Sequence, residues 1–319
     1  MKLRCAILDD YQQVALSMAD WSSITDKVEV KSFSRHFETE DELVKELGDF
    51  DVVVIMRERT PFREPLFARL PRLKLLVTTG MRNASVDLAA AASHGVTVCG
   101  TSGLSEPTVE LTWALILGVA RNIVQEHNAI RNNGPWQTTI GTDLYGKRLG
   151  LLGLGKLGGR VARIGLAFGM EVAAWSQNLT KERTDELGVS LASSKEELLE
   201  SSDFVSIHLV LSERTRGLIG AEELKRMRPS AYLINTSRAP IVDQAALLEA
   251  LENRWIAGAG VDVFEQEPLS QDDAFRAAPH ILTTPHLGYV SRANYQTFYR
   301  DAVEDIQAYL AGSPVRKLS

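Results

Sequence analysis

The chain has 319 residues, 45% of them apolar and 24% charged, a globular composition with length for about two domains. A formal net charge of −6 excludes the basic field by which proteins hold nucleic acid, so no nucleic-acid partner is expected. The two cysteines, Cys5 and Cys99, lie in apolar strand-like segments and make no disulfide framework, which points to core thiols in a reducing cytoplasm.

Met1-Lys2-Leu3-Arg4 leads straight into a strand with no apolar h-region or cleavage site, so no secretory signal is expected. Short β-rich runs follow at residues 5–8, 28–30, 52–55, 75–77 and 96–98, separated by helical patterns such as 40–47 and 86–92. That alternation predicts a small doubly wound α/β domain. Near Ser102-Gly103-Leu104-Ser105-Glu106-Pro107 the chain breaks, then enters one long helix from Thr108 to about Asn132. Its apolar part, around residues 111–120, is too short to span a bilayer and reads as buried core. After Gly146 a second alternating series begins, with strands at 149–152, 171–175, 204–208, 231–235 and 260–263. The final helix, about residues 291–311, is too isolated to form a domain and is expected to pack back on the first one. The predicted architecture is two doubly wound parallel-sheet domains. Residues 103–287 form a Rossmann-type dinucleotide-binding domain, inserted in a flavodoxin-like substrate domain of residues 1–102 and 288–319.

The second series opens on the most informative stretch, Leu149-Gly150-Leu151-Leu152-Gly153-Leu154-Gly155-Lys156-Leu157-Gly158. An apolar run of strand length feeds a G-x-G-x-x-G turn, and the residues after it continue as a helix. Gly153 permits the tight turn, Gly155 lets backbone approach a pyrophosphate, and Gly158 lets helix pack closely on strand. The diphosphate then sits at the helix N-terminus, where N–H groups and the dipole favour negative charge. Dinucleotide binding by Gly153, Gly155, Lys156, Leu157 and Gly158 is the expectation.

In open α/β sheets the ligand lies outside the carboxyl ends of the strands. Three ionisable residues follow strands there: Arg238 after Leu233-Ile234-Asn235-Thr236-Ser237, Glu267 after Gly260-Val261-Asp262-Val263-Phe264, and His286 after Ile281-Leu282-Thr283-Thr284-Pro285. An arginine can grip a carboxylate with two charge-assisted bonds and polarise the adjacent carbonyl. A histidine can deliver a proton as hydride reaches carbon, and a carboxylate can orient it. Taken singly, each residue reads equally well as a surface ion pair, a solvated loop acid or a turn residue. No metal-ligand cluster stands out, and no metal is expected.

Taken together and in order, these segments resemble the D-isomer-specific 2-hydroxyacid dehydrogenase family over nearly the whole chain. Thr108-Val109-Glu110-Leu111-Thr112-Trp113-Ala114-Leu115 resembles its helix after the domain crossing, and Leu144-Tyr145-Gly146-Lys147-Arg148-Leu149-Gly150 its lead-in to the glycine turn. Val205-Ser206-Ile207-His208-Leu209 is similar to the strand ending in a cofactor-contacting histidine. Leu233 to Arg238, Asp262-Val263-Phe264-Glu265-Gln266-Glu267-Pro268 and Thr284-Pro285-His286-Leu287-Gly288 resemble its arginine, glutamate and histidine signatures. The resemblance implies an NAD(P)-dependent oxidoreductase acting on a small 2-hydroxyacid or 2-oxoacid. In that reading Arg238 binds the substrate carboxylate and carbonyl, His286 is the acid/base and Glu267 its partner. Asp262 contacts the nicotinamide carboxamide, and Thr108, His208, Thr236, Ser237 and Gly288 line the cofactor. Backbone N–H groups around Thr79, Gly80 and Met81 hold the other side of the carboxylate. Arg57 stands where some members recruit a substrate-side charge; an exposed salt bridge is the equal alternative.

The chain departs from the family pattern at several points. Ala239-Pro240 follows Arg238 where glycine is usual, and Pro240 biases Ala239 toward extended backbone. Arg82 replaces a second glycine and either reaches the pocket or faces solvent, while Tyr289 either lines the site or packs beside it. An acid about 20 residues past the glycine turn normally accepts the ribose hydroxyls of NAD. Here the second strand ends Trp175-Ser176-Gln177-Asn178, with Ser176 at the position of that acid and Glu171 at the wrong end. Ser176, Gln177 and Asn178 can hydrogen-bond a 2′-phosphate, so NADP(H) is expected to serve at least as well as NAD(H). Lys181 or Arg183 either adds charge for that phosphate or sits on a solvated helix face. The long helix and Asn133-Gly134-Pro135-Trp136 resemble the arm by which relatives pair, which implies a homodimer. The competing reading is a nucleotide-sensing corepressor of the same fold.

Overall fold

The computed structural model describes residues 2–319, so Met1 and its part in the leader reading lie outside the described residues. The chain forms two units, one running to Leu104 and resuming at Val290–Ser319, the other spanning Ser105–Tyr289.

The first unit holds β1 (Leu3–Ile7), β2 (Val28–Ser32), α1 (Glu40–Leu47), β3 (Val52–Ile55), α2 (Glu64–Arg69), β4 (Leu75–Thr78), α3 (Leu88–Ser93) and β5 (Thr97–Gly100). The strands pair parallel in the order β2-β1-β3-β4-β5, the flavodoxin-like arrangement. Every residue of β3 and β4 is buried, as strands covered on both faces require. Helix α1 forms where Thr39 caps the Glu42 amide and Glu40, Asp41 and Glu42 meet the positive end of the dipole. It buries Leu43 and Leu47 against the sheet side of the core.

The second unit begins with α4 (Glu106–Ala120) and α5 (Ile123–Arg131), followed by β6 (Arg148–Leu152), α6 (Lys156–Ala167), β7 (Glu171–Trp175), α7 (Lys181–Asp185) and β8 (Ser190–Leu191). Then come α8 (Lys195–Ser201), β9 (Phe204–Ile207), α9 (Ala221–Arg226), β10 (Tyr232–Asn235), α10 (Gln244–Glu252), β11 (Gly258–Val261) and β12 (Ile281–Thr283). Seven parallel strands run β12-β11-β10-β9-β6-β7-β8, so the winding reverses at β6, between β7 and β9. That reversal opens the crevice where such sheets hold ligands.

The single helix expected from Thr108 to about Asn132 is two helices. Asn122 takes a left-handed conformation (φ 50°, ψ 37°), which asparagine tolerates better than most residues, and the chain turns there. The break separates two environments: α4 is buried almost all round, whereas α5 has no buried residue.

The last helix, α11 (Arg292–Leu310), is capped by Ser291 and belongs to the first unit. Asp301 accepts the Ser102 amide at 2.8 Å and Asn294 accepts that of Leu104 at 2.9 Å. Beyond it the chain end lies antiparallel to β5, with the Gly100 amide donating to the Arg316 carbonyl at 3.0 Å. Cys5 and Cys99 are both reduced and buried, and burial raises the Cys99 thiol to about 11. No helix among the described residues is long and apolar enough to cross a membrane.

Candidate active site

The carboxyl end of β6 runs into the glycine turn. Gly153 adopts φ +101°, and its amide donates to the Trp175 carbonyl at 2.9 Å, tying the turn to the end of β7. A Cβ there would come within 2.9 Å of the His208 carbonyl oxygen, and one at Gly158 would run into the Gly153 carbonyl oxygen. A Cβ on Gly155, the N-cap of α6, would meet nothing within 4 Å. The turn is therefore packed against protein at two glycines and open at the third, beside the amides of Lys156 and Leu157. This is the space a pyrophosphate needs, so the residues present fit a dinucleotide. His208 flanks the turn, its Nε2 2.9 Å from Ser206 Oγ, and burial lowers its imidazole to about 4, leaving it neutral at physiological pH.

Three consecutive strands, β10, β11 and β12, carry the ionisable residues. After β10, Asn235 folds an Asx turn in which its Oδ1 accepts the Ser237 amide at 3.0 Å and its Nδ2 donates to the Arg238 carbonyl at 3.2 Å. Ser237 Oγ donates to the Leu209 carbonyl at 2.5 Å, and Arg238 Nη1 to the Ser237 carbonyl at 2.8 Å. The extended residue here is Arg238 (φ −140°, ψ 138°), whereas Ala239 enters a short 3-10 turn, Ala239–Ile241. The expected extension of Ala239 is thus corrected. Pro240 sits within the first turn of a helical segment, where a missing amide hydrogen costs nothing.

After β11 and β12 the acid and the imidazole meet. Glu267 Oε2 lies 2.6 Å from His286 Nδ1, while its Oε1 accepts the Phe264 amide at 2.8 Å. Both side chains keep under a fifth of their surface exposed. His286 has φ +53°, in a tight turn closed by its amide on the Thr284 carbonyl at 2.9 Å. Fully buried Asp262 holds that turn: it accepts Thr284 Oγ1 at 2.6 Å and the amides of Leu287 at 2.7 Å and Gly288 at 2.9 Å. Burial raises its pKa against the pull of those bonds. Thr108 Oγ1 donates to the Gly288 carbonyl at 2.8 Å, and the Thr112 and Thr236 hydroxyls lie 2.8 Å apart. Tyr289 is buried and packs edge-on against the His286 ring, centroids 5.4 Å apart.

In the first unit Arg57 follows β3 and the segment from Thr79 to Met81 follows β4. The Arg57 amide donates to Thr79 Oγ1 at 2.9 Å and its Nη1 to the Thr79 carbonyl at 3.2 Å. The guanidinium lies across Gly80 so closely that a Cβ there would collide with it. Arg57 Nε also pairs with Glu58 Oε2 at 3.9 Å, each side chain a quarter exposed. Asn83, which the sequence reading passed over, donates to the Arg57 carbonyl at 2.6 Å and to Thr78 Oγ1 at 2.8 Å. Arg82 and Met81 are exposed.

The signal for the positioning residues lay in their types. Asparagine one residue past the apolar core of a strand, as at Asn235, and asparagine two residues before a serine, as at Asn83, both favour Asx turns. In the structure both Ser237 and Ser85 donate their amides to such an asparagine.

The sequence profile of the D-isomer specific 2-hydroxyacid dehydrogenase NAD-binding domain matches residues 113–288. The chain belongs to that family. It is 39% identical over 256 residues to the glyoxylate reductase of Aeropyrum pernix, covering 77% of this chain and 76% of that one. It is 36% identical to the D-3-phosphoglycerate dehydrogenase of Bacillus subtilis over 85% of its own length and about half (51%) of that enzyme's. The crystal structure of a phosphoglycerate oxidoreductase from Vibrio cholerae superposes with a TM-score of 0.93 at 33% identity, over 98% of this chain and 100% of that one. This D-2-hydroxyacid dehydrogenase is accordingly an oxidoreductase that acts on CH–OH groups with a nicotinamide cofactor. Among the described residues no group of three or more His, Cys, Asp or Glu side chains is placed to hold a metal.

Proposed function

We propose that the enzyme reduces a small 2-oxoacid, of the glyoxylate or hydroxypyruvate kind, to the D-2-hydroxyacid with NADPH. The observation that carries this reading is the 2.6 Å Glu267–His286 pair beyond the ends of β11 and β12, beside the β10 end that leads to Arg238. When bound, the nicotinamide supplies the hydride. Arg238 grips the substrate carboxylate and polarises its carbonyl oxygen. His286 delivers a proton to that oxygen from Nε2, because Nδ1 is committed to Glu267. Glu267 in turn stabilises the positive imidazole and fixes its orientation. Arg57 and the backbone of Thr79, Gly80 and Met81 are assigned to the substrate side.

The NADPH assignment rests on the end of β7. From Val172 to Thr180 the chain carries no carboxylate, and Ser176, Gln177 and Asn178 offer only neutral hydrogen-bonding groups. The same reading makes the enzyme a homodimer. Helix α5 and the segment after it expose Ile123, Ile130, Trp136 and Ile140, the last two at 78% and 98%, apolar surface that a second copy would cover.

Oxidation of NADPH and NADH followed against glyoxylate, hydroxypyruvate, pyruvate, 2-oxobutyrate and phenylpyruvate tests both arms. Turnover is expected with the two smallest hydroxy- or hydrogen-substituted acids. Activity confined to phenylpyruvate would overturn the substrate class, and a more than tenfold NADH preference in kcat/KM would overturn the cofactor assignment.

A further inference from the structure

Arg183 and Lys181 sit on the same short helix, α7, but the structure separates them. Lys181 Nζ lies 2.8 Å from both oxygens of Asp185, a solvated i,i+4 pair. Arg183 reaches the other way. Its Nε donates to the Leu154 carbonyl at 3.4 Å, between the first two glycines of the turn, and its Nη2 lies 3.4 Å from where a Cβ on Gly159 would stand. Its Nη1 meets Glu186 at 2.8 Å, and two-fifths of the side chain stays exposed.

Three pieces of chain thus meet at one corner of the second unit. The Gly153 amide is bonded to the Trp175 carbonyl, so the glycine turn and Ser176 are neighbours. The Leu179 amide bonds back to the Ser176 carbonyl at 3.0 Å, and Thr180 caps α7, so the loop after β7 runs directly into the helix that carries Arg183. A dinucleotide whose pyrophosphate lies at Gly155 places its adenosine ribose toward the end of the second strand. Ser176 and the Arg183 guanidinium are the groups of this corner that would meet that ribose.

We infer that Arg183 is the cation that selects a 2′-phosphorylated adenosine, turning a site merely permissive for NADP(H) into one that prefers it. The inference rests on the NADPH reading above. The planar fork suits a phosphate, and its backbone bond to Leu154 holds it in place without using all five donors. Glu186 competes for the same guanidinium, so it sets an upper limit on the preference.

The test is calorimetric titration of the full-length enzyme with NADPH, NADH, adenosine 2′,5′-bisphosphate and 5′-AMP, none of which requires turnover. Arg183→Ala is expected to weaken NADPH and the bisphosphate about tenfold, the lower range for a partly exposed charged hydrogen bond, while NADH and AMP move less than twofold. Arg183→Lys recovers part of the loss, Lys181→Ala changes nothing, and Glu186→Gln tightens NADPH two- to threefold. Equal weakening of phosphorylated and unphosphorylated ligands would make Arg183 a support of the glycine turn and overturn its role in selection. So would an Arg183→Ala protein with unchanged NADPH affinity. A wild type that binds NADH more tightly than NADPH fails the cofactor reading itself, and the selector role falls with it.

Discussion

Replacing Glu267 by glutamine keeps shape and removes one charge. The new carbonyl can still accept the Phe264 amide, which Glu267 Oε1 holds at 2.8 Å. The amide nitrogen then faces His286 Nδ1, where the wild type has a carboxylate oxygen at 2.6 Å. A donor opposite Nδ1 accommodates only an imidazole that accepts there, so the positive ring loses its partner and meets a like-signed dipole. A hydrogen bond to a charged group contributes about 1.5–3 kcal/mol, and the pair is too well shielded for solvent to replace it fully. At 1.4 kcal/mol per factor of ten, oxoacid reduction should fall about 10- to 100-fold in kcat/KM. Cofactor affinity should hold, because Glu267 is remote in sequence and bonding from the glycine turn. Initial rates of NADPH oxidation and a fluorescence titration of NADPH on the same preparations decide it. A kcat/KM within threefold of wild type, or a matching loss in NADPH affinity, would refute the orienting role.

Gly153→Ala forces a side chain into φ +101° and sets its Cβ 2.9 Å from the His208 carbonyl oxygen. A loss of about 2–4 kcal/mol is expected in urea unfolding, together with weaker cofactor binding, and unchanged stability would contradict the packing argument. Asp305 is fully buried 3.0 Å from Arg316 Nε, with Oδ2 unbonded, and burial raises its carboxyl to about 7. The folded state therefore keeps a proton that the unfolded chain releases near its ordinary value. Stability is full below that value and is lost as pH rises to about 7. Against Asp305→Asn, which does not titrate, the wild type should lose up to about 4 kcal/mol between pH 4 and 8; a pH-independent difference would show the carboxyl ionised throughout. Sedimentation should show a dimer that Trp136→Glu with Ile140→Glu splits into monomers. A monodisperse wild-type monomer at micromolar concentration would remove the role given to the apolar face.

The sequence exposed whatever depends on short-range pattern. Continuous apolar runs such as Val52–Ile55 become strands covered on both faces, and the glycine spacing at 153, 155 and 158 specifies a turn with one open side. Paired helices proved harder, because the break at Asn122 is a change of environment rather than of propensity: residues on both sides favour helix, but only α4 has a core to enter. Ala239 went the same way. The Arg238 carbonyl accepts both Asn235 Nδ2 at 3.2 Å and the Ile241 amide at 3.3 Å, and the turn forms there against the local bias set by Pro240. Between Lys181 and Arg183 the sequence left the choice open for a different reason. On a helical wheel Arg183 is a surface residue like Lys181, and only the fold brings the Leu154 carbonyl within its reach.

Besides the direct Glu267–His286 bond, the residues proposed for catalysis are tied together through backbone. Asn235 holds the Arg238 turn with its side chain, and its own carbonyl accepts the Asp262 amide at 3.0 Å. Asp262 then fixes the turn that carries His286, through Leu287, Gly288 and Thr284. Five residues further on, Glu267 reaches the imidazole from the same loop. Guanidinium, carboxylate and ring are thus spaced by a hydrogen-bonded chain across the ends of β10, β11 and β12, whose register is set by the sheet. Buried Asp262 is an expensive residue to ionise, and burial does raise its pKa. Its three bonds make a rigid tie where apolar packing alone would let the turn slide. Misplacement of a reacting group by about 1 Å can cost on the order of 100-fold in rate. In the proposed mechanism, the cost of burying this carboxylate is offset by the alignment it gives Arg238 and His286.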